Sequence, residues 1–238
     1  MSLPEGGAIT AIWTNVPKER EEDIRKWHNL EHTTERLEGP GYIACRRYNR
    51  EGGDGGHERL TVFEGIDLAT FDSPYYLESR NNPTPWTRQS MGIIQDARRG
   101  VYSLSASGGE RPRVESPYVF TLRFDPAEGA AEEEIAAWYR EEHFPRLCAL
   151  EAVVRARLFR RNEVSDVKTA ETKMQGIQEG QQAFLAFYEM STLDPIGSDE
   201  WKEAAAGTAR SAGMLKKIAD PLRERWWWDF VKYAPGII

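Results

Sequence analysis

Long apolar runs are missing from this chain. No stretch of about 18 apolar residues occurs anywhere in its 238 residues, so no membrane-spanning helix is expected. The opening, MSLPEGGAITAIW, has no basic segment ahead of an apolar one, so no signal peptide is expected. Cysteine is scarce. Cys45 and Cys148 stand far apart and without metal-ligand spacing, which suits small buried thiols in a reducing cytoplasm. A basic tract is absent as well, and the net charge is −7, so nucleic acid is not an expected partner. The G-x-S-x-G elbow, the phosphate-binding P-loop and a G-x-G-x-x-G following a strand are all missing.

Aromatic residues are plentiful: eight Trp, nine Tyr and nine Phe, enough for large cores and an apolar pocket. The length allows one large domain or two of about 100–120 residues. An internal match favours two. Shifting the chain by 111 residues lays Glu21, Glu22, Ile24, Trp27, Glu31, His32 and Arg46 on Glu132, Glu133, Ile135, Trp138, Glu142, His143 and Arg157. That is seven identities in 26 ungapped positions, far above composition. Further on, residues 60–76 match 185–201 at an offset of 125, so the second copy has a connection longer by 14 residues. The extra residues fall in the polar segment RNEVSDVKTAETKMQGIQEGQQ, which reads as a surface loop.

Each copy runs in the same order. A strand comes first (8–16 and 118–124), then a helix with an acidic first turn, then two strands. A second helix follows, near 69–98 and 199–220, and a last strand closes the unit at 100–106 and 226–233. The expected fold is therefore α+β: two fused ferredoxin-like βαββαβ repeats, residues 1–110 and 111–238, forming a pseudo-dimeric α/β barrel.

The core W-x-x-x-E-H, at Trp27–His32 and Trp138–His143, followed by a strand carrying Arg, resembles the dimeric α/β-barrel superfamily, and within it the EthD-like domains. The Pro usual after the motif's His is kept as Pro145 but is Thr34 in the first copy. The resemblance implies the barrel fold over nearly the whole chain. It leaves the reaction open, since the superfamily holds cofactor-free quinol monooxygenases, aromatic polyketide cyclases, muconolactone isomerases and haem enzymes.

Strand alternation sets Tyr42, Ala44, Arg46 and Tyr48 opposite Ile43 and Cys45. It likewise sets Val153, Arg155, Arg157 and Phe159 opposite Val154, Ala156 and Leu158. The small apolar set is expected under the helices. Arg46, Arg155, Arg157 and Tyr48 are expected around a central cavity, with Trp13, Phe63 and Tyr188 as its walls. Such a cavity suits a small aromatic or polyketide-type molecule with a carboxylate, phenolate or enolate. The same arginines have a structural alternative, pairing with Glu31, Glu142, Glu64 or Glu189, because buried charge needs a partner. Trp27 and Trp138 read as packing residues.

His32 and His143 recur, as structural features do, yet the resemblance places this histidine near the cavity mouth, where an imidazole can accept a proton near neutral pH. His28 has Tyr139 in its place in the second copy. It is either an asymmetric catalytic group or a helix-surface residue. Zinc on His28 and His32 lacks a third ligand, so no metal is expected. His57, in a Gly-rich turn, is expected to be solvated.

The leading expectation is a cytoplasmic, cofactor-independent enzyme, a cyclase, isomerase or monooxygenase, with His32, His143 or His28 removing a proton from a small aromatic or acidic ligand. The alternatives are a haem protein with His143 as axial ligand and a non-catalytic small-ligand binder; a homodimer is possible for any of them.

Overall fold

The computed structural model describes residues 5–110, 112–162, 167–176 and 182–237. Eight strands form a closed, all-antiparallel barrel. They are β1 (Ala8–Asn15), β2 (Tyr42–Gly53), β3 (Arg59–Gly65), β4 (Gln95–Gly109), β5 (Tyr118–Pro126), β6 (Val153–Arg161), β7 (Phe184–Met190) and β8 (Ile218–Tyr233). The order around the barrel is β1-β3-β2-β8-β5-β7-β6-β4. The first half of the chain supplies the arc β4-β1-β3-β2 and the second supplies β8-β5-β7-β6. Two seams, β2 with β8 and β4 with β6, close the ring and leave no free sheet edge.

Two long helices lie outside. Helix α1 (21–37) begins with Glu21, Glu22 and Asp23, and α4 (132–147) with Glu132, Glu133 and Glu134. These carboxylates sit at the positive end of the helix dipole. The second helix of each half is broken in two. The pieces are α2 (Pro74–Asn81) with α3 (Pro85–Met91), and α6 (Asp199–Ala206) with α7 (Ala209–Leu215). Proline and glycine between and within them (Pro83, Pro85, Gly207) stop a continuous helix, and Ser73, Thr84, Ser198 and Thr208 cap the pieces. The closing strands then begin earlier than expected, at Gln95 and Ile218. Among the described residues, no helix is long and apolar enough to cross a membrane.

The barrel interior is solid. One cluster draws a side chain from every strand and none from a helix, with Trp13, Tyr48, Tyr102, Phe159 and Trp226 at its centre. Both long helices pack on the outer face, through separate clusters that include Ile24, Trp27, Ile135 and Trp138. Alternation from β2 and β6 holds except at one place in each. A register shift between Tyr42 and Ala44, and another between Val153 and Arg155, turns Tyr42 and Val153 outward.

The long polar connection of the second half is not simply a loop. Residues 163–166 and 177–181 of it lie outside the described residues. Between them, Ala170–Gln175 form helix α5, closed at its start by a reciprocal Thr169–Thr172 capping box. It crosses over to the first half, where Glu171 is buried in ion pairs with Arg36 and Arg80. A carboxylate whose partners sit far back in the sequence gives this segment a fixed place that its polar composition hides.

Candidate active site

The W-x-x-x-E-H motif sits at a matched irregularity. His28–His32 and Tyr139–His143 are π-helical turns inside α1 and α4. Such wide turns recur at functional sites because they re-aim side chains. Two of the motif's residues have structural work in both halves. Glu31 accepts hydrogen bonds from the Thr84 and Thr87 hydroxyls, and the Trp27 indole N–H donates to Thr87. In the second half Glu142 accepts from Thr208 and Ser211, and Trp138 donates to Ser211. The motif's Trp and Glu therefore tie α1 to the start of α3 and α4 to the start of α7. The histidine is left over.

In the second half that histidine is enclosed. His143 Nε2 shares a 3.1 Å hydrogen bond with the Tyr188 hydroxyl. Its ring lies 4.4 Å from Trp138 and 4.8 Å from Tyr139. Phe124 stacks on Tyr139 and Phe184, which fills the rest of the space between helix and sheet. Burial pushes the His143 imidazole down to about 4, so it is neutral at physiological pH. A haem axial ligand needs its outer nitrogen free and an open face beside it. His143 has neither, and the residues around it do not fit that role.

In the first half the corresponding space is open. Strand registers give the equivalences: Thr10 stands where Phe120 does, Thr14 where Phe124 does, Arg59 where Phe184 does and Arg47 where Leu158 does. His28 stands for Tyr139. Five bulky apolar or aromatic groups are thus replaced by smaller or polar ones. The result is a pocket of about 480 Å³, counting its open mouth, between α1 and the outer faces of β1, β2 and β3. Trp27, Phe63, Ile12 and Ile24 give it apolar walls. His28, His32, Arg47 and Arg59 supply the polar groups.

These four are arranged unevenly. His28 Nδ1 lies 3.1 Å from Arg47 Nη1 and 3.0 Å from the Thr33 hydroxyl. A guanidinium only donates, so Nδ1 accepts and the His28 ring proton is on Nε2. Arg47 itself is anchored by Asp229 at 2.6 Å. His32 is 7% exposed, and among the described residues its Nδ1 has no hydrogen-bond partner. Phe63 occupies the position of Tyr188 and has no hydroxyl, so His32 Nε2 lacks the partner that His143 Nε2 has, while Nδ1 has no partner among the described residues in either ring. Arg59 pairs with Glu21 through Nη2, while its buried Nη1 has no acceptor among the described residues. Burial, reinforced by Arg47 at His28 and by Arg36 at His32, holds both imidazoles well below their ordinary range. Both are neutral near pH 7. The site holds a free neutral base beside cationic N–H donors in an apolar setting.

A second lobe, about 370 Å³ with its opening, adjoins the first and shares Ile12, His32, Phe63 and Gln175 with it. Its walls carry Arg36, Arg80, Arg99, Tyr42, Tyr76 and, from α5, Glu171. Arg99 donates to the Tyr76 hydroxyl at 3.0 Å. Burial alone would raise the Tyr76 phenol, but Arg80, Arg99 and Arg36 outweigh it and draw it below its ordinary value.

The remaining candidates sit elsewhere. Arg46, Arg155 and Arg157 do face the barrel interior, where they are bound to carboxylates. Arg46 Nη1 is 2.5 Å and Arg157 Nη1 2.7 Å from Glu64, and Arg155 pairs with Glu189. Tyr48 and Trp13 are interior packing residues. Phe63 and Tyr188 face the helices rather than the interior, because Val62, Glu64, Phe187 and Glu189 take the inward positions of β3 and β7. His57 is buried rather than solvated, its Nε2 3.0 Å from the Asp96 carbonyl. Cys148 is half-buried, and burial pushes its thiol up to about 11, unsuited to nucleophilic attack near pH 7. Among the described residues, no group of three or more metal-ligating side chains is present. Arg47, Arg59, Arg36, Arg80, Arg99 and Glu171 are the site residues that the sequence reading passed over. For Arg47 and Arg59, the polar-for-apolar exchanges between the two halves were the available signal.

No family model matches the chain, and no curated protein matches it by sequence. Solved structures do match in shape. An anthrone oxidase-like protein superposes with a TM-score of 0.61 at 11% identity, over 97% of this chain and 94% of that one. A candidate monooxygenase from Lactobacillus acidophilus NCFM gives 0.57 at 10% identity, over 96% and 97%. Chlorite dismutase from Candidatus Nitrospira defluvii gives 0.53 at 12% identity, over 94% and 92%. At these identities the likeness is one of fold: an α/β barrel built from a single chain of similar length.

Proposed function

We propose that this chain is two fused ferredoxin-like repeats, 1–110 and 111–238, of which the first is a cofactor-independent catalytic unit and the second a closed structural one. The proposed substrate is a small aromatic or polyketide-type carbon acid or phenol, held between α1 and the sheet. The observation that carries the reading is that one apolar pocket is lined by two residues whose buried atoms, His32 Nδ1 and Arg59 Nη1, have no hydrogen-bond partner among the described residues.

In the proposed step, neutral His32 accepts a proton from the activated C–H or O–H. The negative charge left on the substrate oxygen is stabilised by N–H donors from Arg59 and Arg47 and by His28 Nε2–H. Burial keeps water away and strengthens those contacts. Cyclisation, isomerisation and reaction with oxygen all start from such an anion. The anthrone oxidase-like neighbour makes anthrone, whose acidic methylene lies across the central ring from a ketone, a suitable first probe.

The test is exchange of the anthrone methylene protons in D₂O, followed by NMR, since exchange reads proton removal whatever reaction follows. His32→Gln should slow the enzyme-dependent exchange by about 100-fold or more, and His143→Gln should leave it unchanged. Equal behaviour of the two variants would remove His32 as the base. A Soret band in the purified protein would replace the cofactor-free reading with the haem one.

A further inference from the structure

The second lobe differs from its counterpart in chemistry as well as in space. In the closed half Phe120 packs against Tyr188 and Trp201, with ring centroids 5.6 and 5.7 Å away. Strand registers and the 125-residue offset put Thr10, Phe63 and Tyr76 in those three places. A hydroxyl thus stands where the closed half has a phenyl ring, and it lines the lobe. The charged groups of the lobe are engaged within the protein. Glu171 is ion-paired with both Arg36 and Arg80, and Arg99 donates to the Tyr76 hydroxyl at 3.0 Å. The open valence is an uncharged one. Thr10 is 2% exposed, and its Oγ1 has no hydrogen-bond partner among the described residues. A buried hydroxyl without a partner costs free energy, and a hydroxyl can both donate and accept. Gln175, the last residue of α5, lines both lobes and brings an amide with the same double capacity.

Resting on the function proposed above, we propose that this lobe is a subsite for an uncharged hydroxyl on the substrate, with Thr10 Oγ1 as its first partner and the Gln175 amide as its second. The substrate is then an aromatic compound that carries a hydroxyl apart from its reacting group. Its reacting atom lies in the first lobe and its hydroxyl in the second, with His32 and Phe63 on the wall common to both. A carboxylate in the second lobe would compete with Glu171 for Arg36 and Arg80, whereas a hydroxyl meets Thr10 and Gln175 and displaces nothing. Gln175 belongs to the long connection of the second half, which proton removal does not use. The otherwise closed half therefore contributes a specificity residue to the site of the open half, on a helix that Glu171 anchors there.

The experiment is isothermal titration calorimetry on the full chain at pH 7. It compares 6-hydroxy-2-naphthamide with 6-methyl-2-naphthamide, in which a group of similar size replaces the hydroxyl, and with unsubstituted 2-naphthamide. The expected result is that the hydroxy probe binds about tenfold more tightly than the methyl probe. Thr10→Val keeps the shape and removes the hydroxyl. It should erase that preference, leave 2-naphthamide binding unchanged and leave stability to urea equal or higher, since an unpaired buried hydroxyl is lost. Gln175→Leu should narrow the preference by a smaller factor. Equal binding of the hydroxy and methyl probes overturns the hydroxyl subsite while leaving the pocket. A full preference in Thr10→Val overturns Thr10 as the partner. Tighter binding of 6-carboxy-2-naphthamide than of the hydroxy probe overturns the uncharged assignment. Binding of no probe overturns the pocket reading too.

Discussion

His143 and His32 end matching π-helical turns, but the Tyr188 hydroxyl stands 3.1 Å from His143 Nε2, and Phe63 offers His32 no such group. A single oxygen thus separates an Nε2 held by a hydroxyl from one without that partner, although Nδ1 is unpartnered among the described residues in both rings. The burial of His143 has a measurable consequence for stability. The His143 imidazole titrates at about 4 in the fold against an ordinary 6.5. Below 6.5 the unfolded chain takes up this proton and the folded chain does not. The contribution is therefore complete above pH 6.5 and is lost as the pH falls toward 4, by roughly 3 kcal/mol in all. His28 and His32, also lowered, act with the same sign. Glu64, held near 2 against an ordinary 4.5 by Arg157 and Arg46, adds its own loss only below 4.5. Urea unfolding between pH 7.5 and 4.5 should show stability declining with acid, less steeply in His143→Gln. A flat profile in that window would mean these histidines are not buried neutral.

At the scale of elements, the difference between the halves lies on the outer faces of β1, β2 and β3 against those of β5, β6 and β7. Phe124 and Phe184 stack 5.1 Å apart in the closed half, where Thr14 and Arg59 face each other across the open one. Phe124→Ala should cost about 3–5 kcal/mol by urea unfolding, as expected for an aromatic removed from a dense cluster. Thr14→Phe should do the reverse in the first half: fill the pocket, abolish 2-naphthamide binding by calorimetry and leave stability equal or higher. Retained binding in Thr14→Phe would place the ligand elsewhere. These faces also mark where sequence reading succeeds and fails. Element order, the inward side of Arg46 and Arg157 and the packing role of Trp27 follow from periodicities of 2 and 3.6 and from the internal match. Tyr42 escapes because a bulge interrupts the alternation, and Phe63 because β3 offers no polar–apolar contrast: all seven of its residues are buried. The pocket itself escapes because it is made of absences, small or polar residues on a face expected to be packed, and these show only when the halves are laid strand on strand. The docking of Glu171 depends on a contact between residues 135 positions apart, which no local pattern reports.

For the molecule as a whole, the ring must be held shut at two seams, and charge does part of this. Glu64, on β3 of the first half, receives Arg46 from its own half and Arg157 from the other, with the Gly6 amide completing its shell at 3.0 Å. Glu189 on β7 holds Arg155 and approaches Arg157 at 3.7 Å. Every member is nearly inaccessible, so removal of one partner leaves an uncompensated charge inside the barrel. Glu64→Gln should therefore cost about 3–5 kcal/mol in urea unfolding. Arg157→Met alone should also be costly, because Glu64 and Glu189 then share fewer cations. The double variant Glu64→Gln/Arg157→Met should cost less than the sum of the two, by about 1–3 kcal/mol, since each change removes the charge the other strands. The cycle discriminates between two accounts of the seam. If the losses simply add, β-sheet pairing and the apolar interior hold the halves together and Glu64–Arg157 is incidental; a favourable coupling of the stated size makes that ion pair a cross-half tie, and both halves should then unfold in one transition rather than two.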